Sequence, residues 1–438
     1  MVNLKNKLSP PAQFDLAELK NRRQQLINII RKNSGTGLLL LFNTENARFD
    51  SNFYYLTNIT QPSSIFLLSI DKKKAKSFLF ITDKDKTKEL WEGEMLTAED
   101  VKKKYKFDWV LYLSEFNNEI TKLIRPHKYL YFNFGDSSKF DRLVNSEIIK
   151  KRDQQRQGEI PIQAVFDSRV IIDQMRQIKS NFEIEQIQYA CEASAIAITE
   201  AMRSVTSGIN ERAIMGVLYQ NYFAYGLAGP SYPPIIGSGK NSCVLHYSAN
   251  NQKIPKNSVV LIDAAGEYNG YCADITRTVP ANKKFTPAQK AVYEIVLKAQ
   301  RQAITYVKKN RSIEDYHQAA LKIIVEGLRQ LKLLKGSVDK IIDKGSYKKF
   351  YMHKAGHFLG LDTHDVGIYR ENDKWLKFKP GMIVTVEPGI YIRAEQGIPK
   401  EFHNIGIRLE DDILVTNKGN QNLTASAPIE IAEIEALY

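Results

Sequence analysis

The stretch VVLIDAAGEYNGYCADITRTV, residues 259–279, contains two β-prone runs joined by Asn269-Gly270. The first run is apolar until Asp263, and the second carries Asp274 between two apolar residues. An Asn-Gly pair between β-prone runs is the strongest short-range signal for a β-hairpin with a type I′ turn. The stretch therefore predicts a hairpin with one carboxylate built into each strand.

The turn determines which residues of this hairpin face each other. With the Asn-Gly pair as the turn, Tyr268 opposes Tyr271, and counting outward pairs Asp274 with Ala265. Because side chains alternate along a strand, Ala265 and Asp263 share a face. The two aspartates then lie diagonally on one face, with backbones about 7–8 Å apart.

Two bare carboxylates in an apolar sheet are costly, so they need protons, arginines or cations nearby. One interpretation is a metal site between Asp263 and Asp274. The other is that each aspartate caps a loop or pairs with an arginine, for instance Arg277. The hairpin alone leaves both interpretations open.

Two further strand-like runs in the same half of the chain also contain a carboxylate. Glu387 lies in GMIVTVEPGIYI (381–392), and Glu410 lies in GIRLEDDILVT (406–416). The segment YMHKAGHFLGLDTHDVG (351–367) concentrates three of the seven histidines. Four carboxylates and an imidazole are oxygen-rich ligands that suit Mn²⁺ or a similar divalent ion. Four carboxylates are more than one ion needs, whereas two ions about 3.5–4 Å apart would bind all four.

Other motifs carry less weight. His353 and His357 have the spacing of a zincin helix, but the intervening KAG lacks the catalytic glutamate. GSGK (237–240) resembles a phosphate-binding loop but lacks its first glycine and its final Ser/Thr, so we interpret it as a turn. Taken alone, His246 is interpreted as a surface histidine, and His317 as part of a helix surface.

Length and composition set outer bounds. The 438 residues, 43% hydrophobic and 25% charged, indicate a globular protein of two domains. No run of about 18 apolar residues predicts a membrane span, and the first residues lack the apolar core of a signal peptide. Three widely spaced cysteines fit a reducing compartment, so we expect a cytoplasmic protein. The net charge of +13 is spread along the chain without a nucleic-acid-binding motif, so no nucleic-acid partner is expected.

The two halves of the chain differ in pattern. Residues 1 to about 170 alternate amphipathic helices with short apolar runs, which is typical of an α/β layer. KRDQQRQGEIP (151–161) is polar and is interpreted as a linker or exposed loop. A long helical pattern then follows Ser180, with Glu183 in capping-box spacing. Strands and helices alternate from there to the end.

Taken together, these segments resemble the pita-bread metallopeptidases, and most closely the aminopeptidase P group. The likeness rests on DAAGEYNGYCADITRTV, HFLGLDTHDVG, VEPGIYI and GIRLEDDILVT, in that order, and on NTENARFDSNFYYLTNITQPSSIFLL near the start. It implies a mixed α/β (α+β) fold with a smaller N-terminal α/β domain over residues 1–174. This domain would act as a cap and in oligomerisation, and a pita-bread catalytic domain with a dinuclear metal site would span residues 175–438.

The resemblance also implies the metal ligands. Asp263 and Asp274 bind the pair of ions, with Asp274 bridging them. His357 and Glu387 complete the second ion, and Glu410 forms another bridge. The implied cofactor is two divalent ions, most simply Mn²⁺.

Further roles carry over from the resemblance to single residues. His246 and His364 flank the scissile carbonyl and stabilise the tetrahedral intermediate, and Glu387 relays a proton to the departing nitrogen. The substrate-binding residues are implied to be His353 at the proline pocket, Tyr232 at the N-terminal side chain, and Arg408 with Tyr391 behind the metal ligands. The KAG after His353 and the HN of FHNIGIR depart from the family pattern on the pocket side.

The implied activity is release of the N-terminal residue from peptides with proline in second position, by a metal-bridging hydroxide. The alternatives are a prolidase restricted to Xaa-Pro dipeptides and a non-catalytic pita-bread binding module. The implied partners are the peptide substrate and further copies of the chain in a dimer or tetramer, without membrane or nucleic acid.

Overall fold

The computed structural model describes residues 8–45 and 48–438, which form two compact units. The N-terminal unit is Phe14–Arg176, and the C-terminal unit comprises residues 8–13 together with Gln177–Tyr438. The chain therefore passes between the units twice, after Gln13 and after Arg176. The single boundary expected from the sequence, between residues 174 and 175, lies two residues before the second passage.

The N-terminal unit combines helices with one mixed sheet. Its helices are α1 (Leu16–Ser34), α2 (Ser51–Thr57), α3 (Lys86–Glu92), α4 (Ala98–Tyr105), α5 (Phe116–Ile124), α6 (Ser138–Asp153) and α7 (Arg169–Gln177), which ends at the passage. Its strands are β1 (Gly37–Phe42), β2 (Ile65–Ile70), β3 (Ala75–Ile81), β4 (Trp109–Tyr112), β5 (Tyr129–Tyr131) and β6 (Ala164–Phe166).

The sheet of this unit has the strand order β4-β3-β2-β1-β5-β6. The central strands β1, β2 and β3 pair antiparallel, and the outer strands add in parallel. Strands β1 and β2 are buried on both faces, which is why they read as the near-continuous apolar runs GLLLLF and IFLLSI. The α/β layers predicted for this half follow from those runs.

The C-terminal unit surrounds several short sheets with longer helices. Its helices are α8 (Asn181–Ser204), α9 (Glu211–Ala224), α10 (Pro287–Tyr306), α11 (Ile313–Gln330), α12 (Val338–Asp343) and α13 (Ile431–Glu435). Its strands are β7 (Gly229–Pro230), β8 (Ile235–Ser238), β9 (Val259–Asp263), β10 (Gly266–Tyr268), β11 (Tyr271–Cys272), β12 (Thr276–Pro280), β13 (Arg370–Glu371), β14 (Lys374–Trp375), β15 (Ile383–Val386), β16 (Gly389–Ile392), β17 (Ile405–Arg408), β18 (Asp411–Val415) and β19 (Asn420–Asn422).

The four strand carboxylates all lie where one strand gives way to the next. Asp263 is the last residue of β9, and Asp274 lies between β11 and β12. Glu387 separates β15 from β16, and Glu410 separates β17 from β18. An isolated bridge pairs Thr276 with Glu410 and so joins two of these breaks. The chain thus places each of these carboxylates at the end of a strand or directly between two strands.

Residues 8–13, which we call the N-terminal strap, are hydrogen-bonded to the C-terminal unit. The hydroxyl of Tyr268 donates to the carbonyl of Pro11 at 3.1 Å, and the Asn269 amide donates to the carbonyl of Gln13 at 2.8 Å. The Gln186 amide donates to the carbonyl of Ala12 at 3.2 Å. Two of these donors belong to the hairpin that carries Asp274, so the strap holds its turn.

No helix within the described residues is long and apolar enough to cross a membrane. Cys191, Cys243 and Cys272 are buried and form no disulfide in the described structure, and the thiol of Cys272, in the predicted hairpin, is directed at the carbonyl of Leu361.

Candidate metal centre

The hairpin has the register predicted from its turn. Tyr268 opposes Tyr271 in one short sheet, and Asp263 opposes Thr276 in another with the same pairing register. The turn residues Asn269 and Gly270 have φ of 51° and 83°, as a type I′ turn requires at both central positions. The predicted placement of the two aspartates along the hairpin is therefore confirmed.

Three of the predicted ligands form a tight group. One side-chain atom each of Asp274, His357 and Glu410 lies within 4.8 Å of the others. His357 Nε2 is 3.5 Å from an Asp274 oxygen, while its Nδ1 donates to the carbonyl of Phe358 at 2.9 Å. That second bond directs Nε2 toward the carboxylates, as is usual for a metal-binding histidine.

Glu387 and Asp263 lie beside this group in different ways. Glu387 places one oxygen 3.9 Å from His357 Nε2 and the other 3.9 Å from His353 Nδ1. Asp263 is ion-paired with the buried Arg408 at 2.5 Å, and it accepts a hydrogen bond from the Tyr232 hydroxyl at 2.6 Å. Among the described residues, an arginine pairs with Asp263, and none pairs with Asp274.

Arg277 is not the partner of either aspartate. Its guanidinium donates to Asp411 at 2.7 Å and to the carbonyl of Glu410, also at 2.7 Å. The interpretation that Arg277 neutralises the hairpin carboxylates is therefore wrong. Arg277 instead holds the backbone of Glu410 in place through the hydrogen bond to its carbonyl.

Burial without enough positive charge raises the pKa of the grouped carboxyls. Desolvation, with neighbouring carboxylates adding to it, raises the pKa of Glu410 well above its ordinary value and that of Glu387 to about 7. Desolvation also raises the pKa of Asp263 despite the opposing charge of Arg408. Burial alone would lower the pKa of His357. Its hydrogen bond and charge interaction with Asp274 outweigh that desolvation and raise the pKa to about 9.

The other predicted histidines occupy separate positions. The His364 ring is exposed and meets the His357 ring edge-on, with centroids 4.4 Å apart. His353 donates through Nδ1 to the carbonyl of Lys354 at 2.7 Å, so its Nε2 accepts from the Tyr391 hydroxyl at 2.9 Å. His246 is exposed in a turn just after the short helix Gly239–Cys243.

Tyr391 connects the substrate-side histidine to the metal-side arginine. Its hydroxyl accepts from Arg408 at 2.8 Å and donates to His353. Burial lowers the pKa of His353 to about 3, with the charge of Arg408 adding to the effect. His353 is therefore a neutral acceptor near neutral pH. The residues Arg408, Tyr391 and His353 form one continuous hydrogen-bonded line.

Sequence reasoning missed several supporting residues. The Thr276 hydroxyl donates to Glu410 at 2.6 Å, and Asp412 accepts the backbone N–H of Asp274 at 2.9 Å. Each follows a predicted ligand by two residues, so strand alternation was a signal that pointed to them. His317 was expected on a helix surface but is buried, with its ring beside Tyr351. No feature of the sequence around His317 indicated that this residue lies on the buried face of α11.

Two family models and several known proteins match this chain. Residues 185–417 match the model of "Metallopeptidase family M24", and residues 42–131 match "Aminopeptidase P, N-terminal domain". The chain is 37% identical over 436 residues to the Xaa-Pro aminopeptidase of Escherichia coli K12, covering 97% of this chain and 98% of that one. Its identity to the Xaa-Pro aminopeptidase of Haemophilus influenzae is 34% over the same shares. The solved structure of Pseudomonas aeruginosa aminopeptidase PepP superposes with a TM-score of 0.93 at 35% identity, covering 97% and 98%.

Proposed function

The chain belongs to metallopeptidase family M24 and is an Xaa-Pro aminopeptidase, and we propose how its residues carry out the hydrolysis. The fold-class prediction is confirmed, with an aminopeptidase P N-terminal domain ahead of the metallopeptidase domain. The protein acts on peptides and binds divalent metal. Of the functions left open by the sequence, the prolidase and the non-catalytic module are the less supported.

We propose that Asp263, Asp274, His357, Glu387 and Glu410 hold two divalent ions, with Mn²⁺ as the preferred metal. The observation that carries the proposal is the convergence of buried carboxylates with too few cations to balance them. Arg408 and His357 are the positive partners that the structure supplies. Carboxylate oxygens with one imidazole are the donors that Mn²⁺ prefers.

The reaction then divides between the ions and the side chains around them. When bound, the ions lower the pKa of water toward neutrality and so supply the nucleophile. Glu387 would bind metal as a carboxylate, and in the reaction it would take up a proton and pass it to the departing proline nitrogen. Partial desolvation, with the nearby charge of His357 adding to it, lowers the pKa of His364, so as a neutral ring it can donate an N–H to the carbonyl oxygen. We assign the same part to His246.

Selection for proline is proposed to involve His353 and Tyr391. An Xaa-Pro bond has no amide N–H to grip and a fixed φ, so recognition must rely on the shape of the ring. The hydrogen bond from Tyr391 holds the His353 ring in place, and Arg408 holds Tyr391. Tyr232 lines a cavity of about 360 Å³ with Tyr219 and Pro230, which we propose for the N-terminal side chain.

Hydrolysis of Arg-Pro-Pro and of Arg-Pro, each with Mn²⁺ and with EDTA, tests the proposed activity. We expect metal-dependent release of arginine from the tripeptide. Cleavage of the dipeptide alone would favour the prolidase instead, and cleavage that survives EDTA would contradict the metal mechanism. Arg-Ala-Pro serves as the control substrate, because it differs in lacking proline at the second position.

Metal binding should release protons at pH 7. Glu387 and His357, with pKa values of about 7 and about 9, both carry protons in part or in full in the metal-free protein, whereas ligands bind deprotonated. Apparent affinity for Mn²⁺ should therefore rise from pH 6 to pH 8. Calorimetric titrations in two buffers of different ionisation enthalpy measure the release. An apparent enthalpy that is the same in both buffers would rule it out.

We also propose that the protein is a cytoplasmic homo-oligomer, a dimer or a tetramer, with the N-terminal domain (1–174) in the interface and the catalytic domain over 175–438. Leu90 and Trp91 on α3 support the interface, since they are 86% and 85% exposed. Three cysteines without a disulfide in the described structure support the compartment. Light scattering of the purified protein decides the first point, and cell fractionation decides the second.

A further inference from the structure

An ion pair buried in the C-terminal unit joins the segment before α8 to the loop that carries His364. The Lys179 ammonium lies 2.9 Å from Asp365, and both side chains are 1% exposed. Asp365 directly follows His364, whose ring is exposed. One residue of the loop is thus fixed in the interior while its neighbour faces solvent.

Stability alone does not account for this pair. Removing two charges from water costs several kcal/mol per ion, and apolar residues of similar volume are often equally stable. A buried ion pair does, however, restrict the groups around it to one arrangement, because a shifted partner would leave a bare charge. Such a pair is suited to holding a loop in one position.

The contacts around the pair are correspondingly close. A Cβ on Gly360 would lie 2.3 Å from the Asp365 carboxylate and 3.0 Å from Lys179, so only glycine allows the approach. The Asp365 N–H donates to the carbonyl of Phe358 at 2.9 Å, and the Cys272 N–H donates to the carbonyl of Gly360 at 2.8 Å. The loop is therefore fastened to the hairpin that carries Asp274.

The opposite side of the loop is held by the start of the segment Gln177–Tyr438. The Gln177 amide donates to the carbonyl of Ile368 at 3.1 Å, and the Lys179 N–H donates to the carbonyl of Gly381 at 2.9 Å. Residues 177–179 and the hairpin therefore hold the loop on two sides.

We propose that Lys179 and Asp365 are positioning residues, which hold His364 where its ring can meet the scissile carbonyl. The inference rests on the role proposed above for His364. Neither residue is proposed to touch substrate or metal, and both act through the loop. Loss of the pair should then lower kcat and leave KM and bound metal unchanged, because His364 is engaged in the transition state.

The test compares Lys179→Met/Asp365→Asn, which removes both charges with little change of volume, in the wild-type and His364→Ala backgrounds. With His364 present, kcat on Arg-Pro-Pro should fall by about 100-fold, the effect of a misplacement of about 1 Å. In the His364→Ala background the same change should alter kcat by no more than about twofold, because substitutions that act through one residue are strongly non-additive. Asp365→Glu, which keeps the charge and lengthens the side chain, should fold and lose kcat as well.

Circular dichroism and metal analysis accompany each assay, so that only folded, fully loaded protein is compared. Equal losses in the two backgrounds would show a general structural role and overturn the inference, as would wild-type kcat in the double variant. Failure of the proposed function would look different, since it would show as absent cleavage by the wild type or as full activity of His364→Ala. Either result would overturn this inference too. Glu18→Gln/Arg22→Met, at a partly buried pair of the N-terminal unit, is the control.

Discussion

Glu410→Gln and Asp274→Asn should each lower kcat by about three orders of magnitude or more, because each removes a proposed bridging carboxylate at the reacting centre. Both side chains are buried beside His357, and Glu410 is further fixed by the Thr276 hydroxyl. An amide keeps the size of the group and loses its charge. The loss should therefore fall on activity and metal content, while the fold remains.

The metal-free Glu410→Gln protein should also be more stable than the wild type at pH 8. The pKa of Glu410 is raised in the folded state, so its ionised form is penalised there, and the penalty is present only above the pKa of the unfolded chain. The gain should vanish toward pH 4, where the carboxyl is protonated in both states. Thermal melts in EDTA at the two pH values measure it.

Glu401→Gln is the matched control, since Glu401 is exposed on a short helical turn of the same unit. It should leave the rate and the melting temperature as they are. A Glu410→Gln or Asp274→Asn protein that hydrolyses Arg-Pro-Pro at the wild-type rate would contradict the ligand assignment.

Arg408→Met should lower the free energy of unfolding of the metal-free protein by about 3–5 kcal/mol at pH 8, the usual cost of leaving a buried charge without its partner. Arg408 is 4% exposed, and it is the cation paired with Asp263. The substitution also removes the donor to Tyr391, which in turn orients His353. Urea denaturation in EDTA measures the loss.

Mn²⁺ should restore part of that stability, because bound ions would take over the neutralisation of Asp263. Arg408→Lys is the companion variant: it keeps the charge and loses the fork that reaches both Asp263 and Tyr391. It should be closer to the wild type in stability than in kcat. If Arg408→Met unfolds at the wild-type urea concentration in EDTA, Asp263 does not depend on this arginine for its charge balance.

The hairpin shows how much of the site local sequence could predict. Asn269-Gly270 determines the turn, the turn determines the register, and alternation then places Asp263 and Asp274 without reference to the rest of the chain. Glu387 and Glu410 could also be predicted as site residues from local sequence, because a charged side chain within an apolar strand is energetically costly. What alternation supplies is which face a residue is on. It does not supply which strands meet.

The errors and omissions all concern contacts distant in sequence. Arg277 was a plausible partner for the nearby aspartates, yet its partner Asp411 is 134 residues away. His317 looked like a surface residue of an amphipathic helix, but the segment that covers it comes from around Tyr351. Helical periodicity indicates where the centre of a buried face lies, but not how many residues on either side of that centre are covered. Width is set by the packing partner, which a local window does not contain.

The N-terminal strap has a consequence for how the protein is made. Its hydrogen-bonding partners are 174 to 257 residues farther along the chain. A ribosome adding about 5–20 residues per second needs roughly 10–50 s to reach the last of them. During that interval the residues that follow the strap, Phe14–Arg176, are already complete and can fold as a unit. The strap, although it precedes the N-terminal unit in the chain, is thus among the last segments to reach its final position, and it docks onto the hairpin only once translation has delivered the turn.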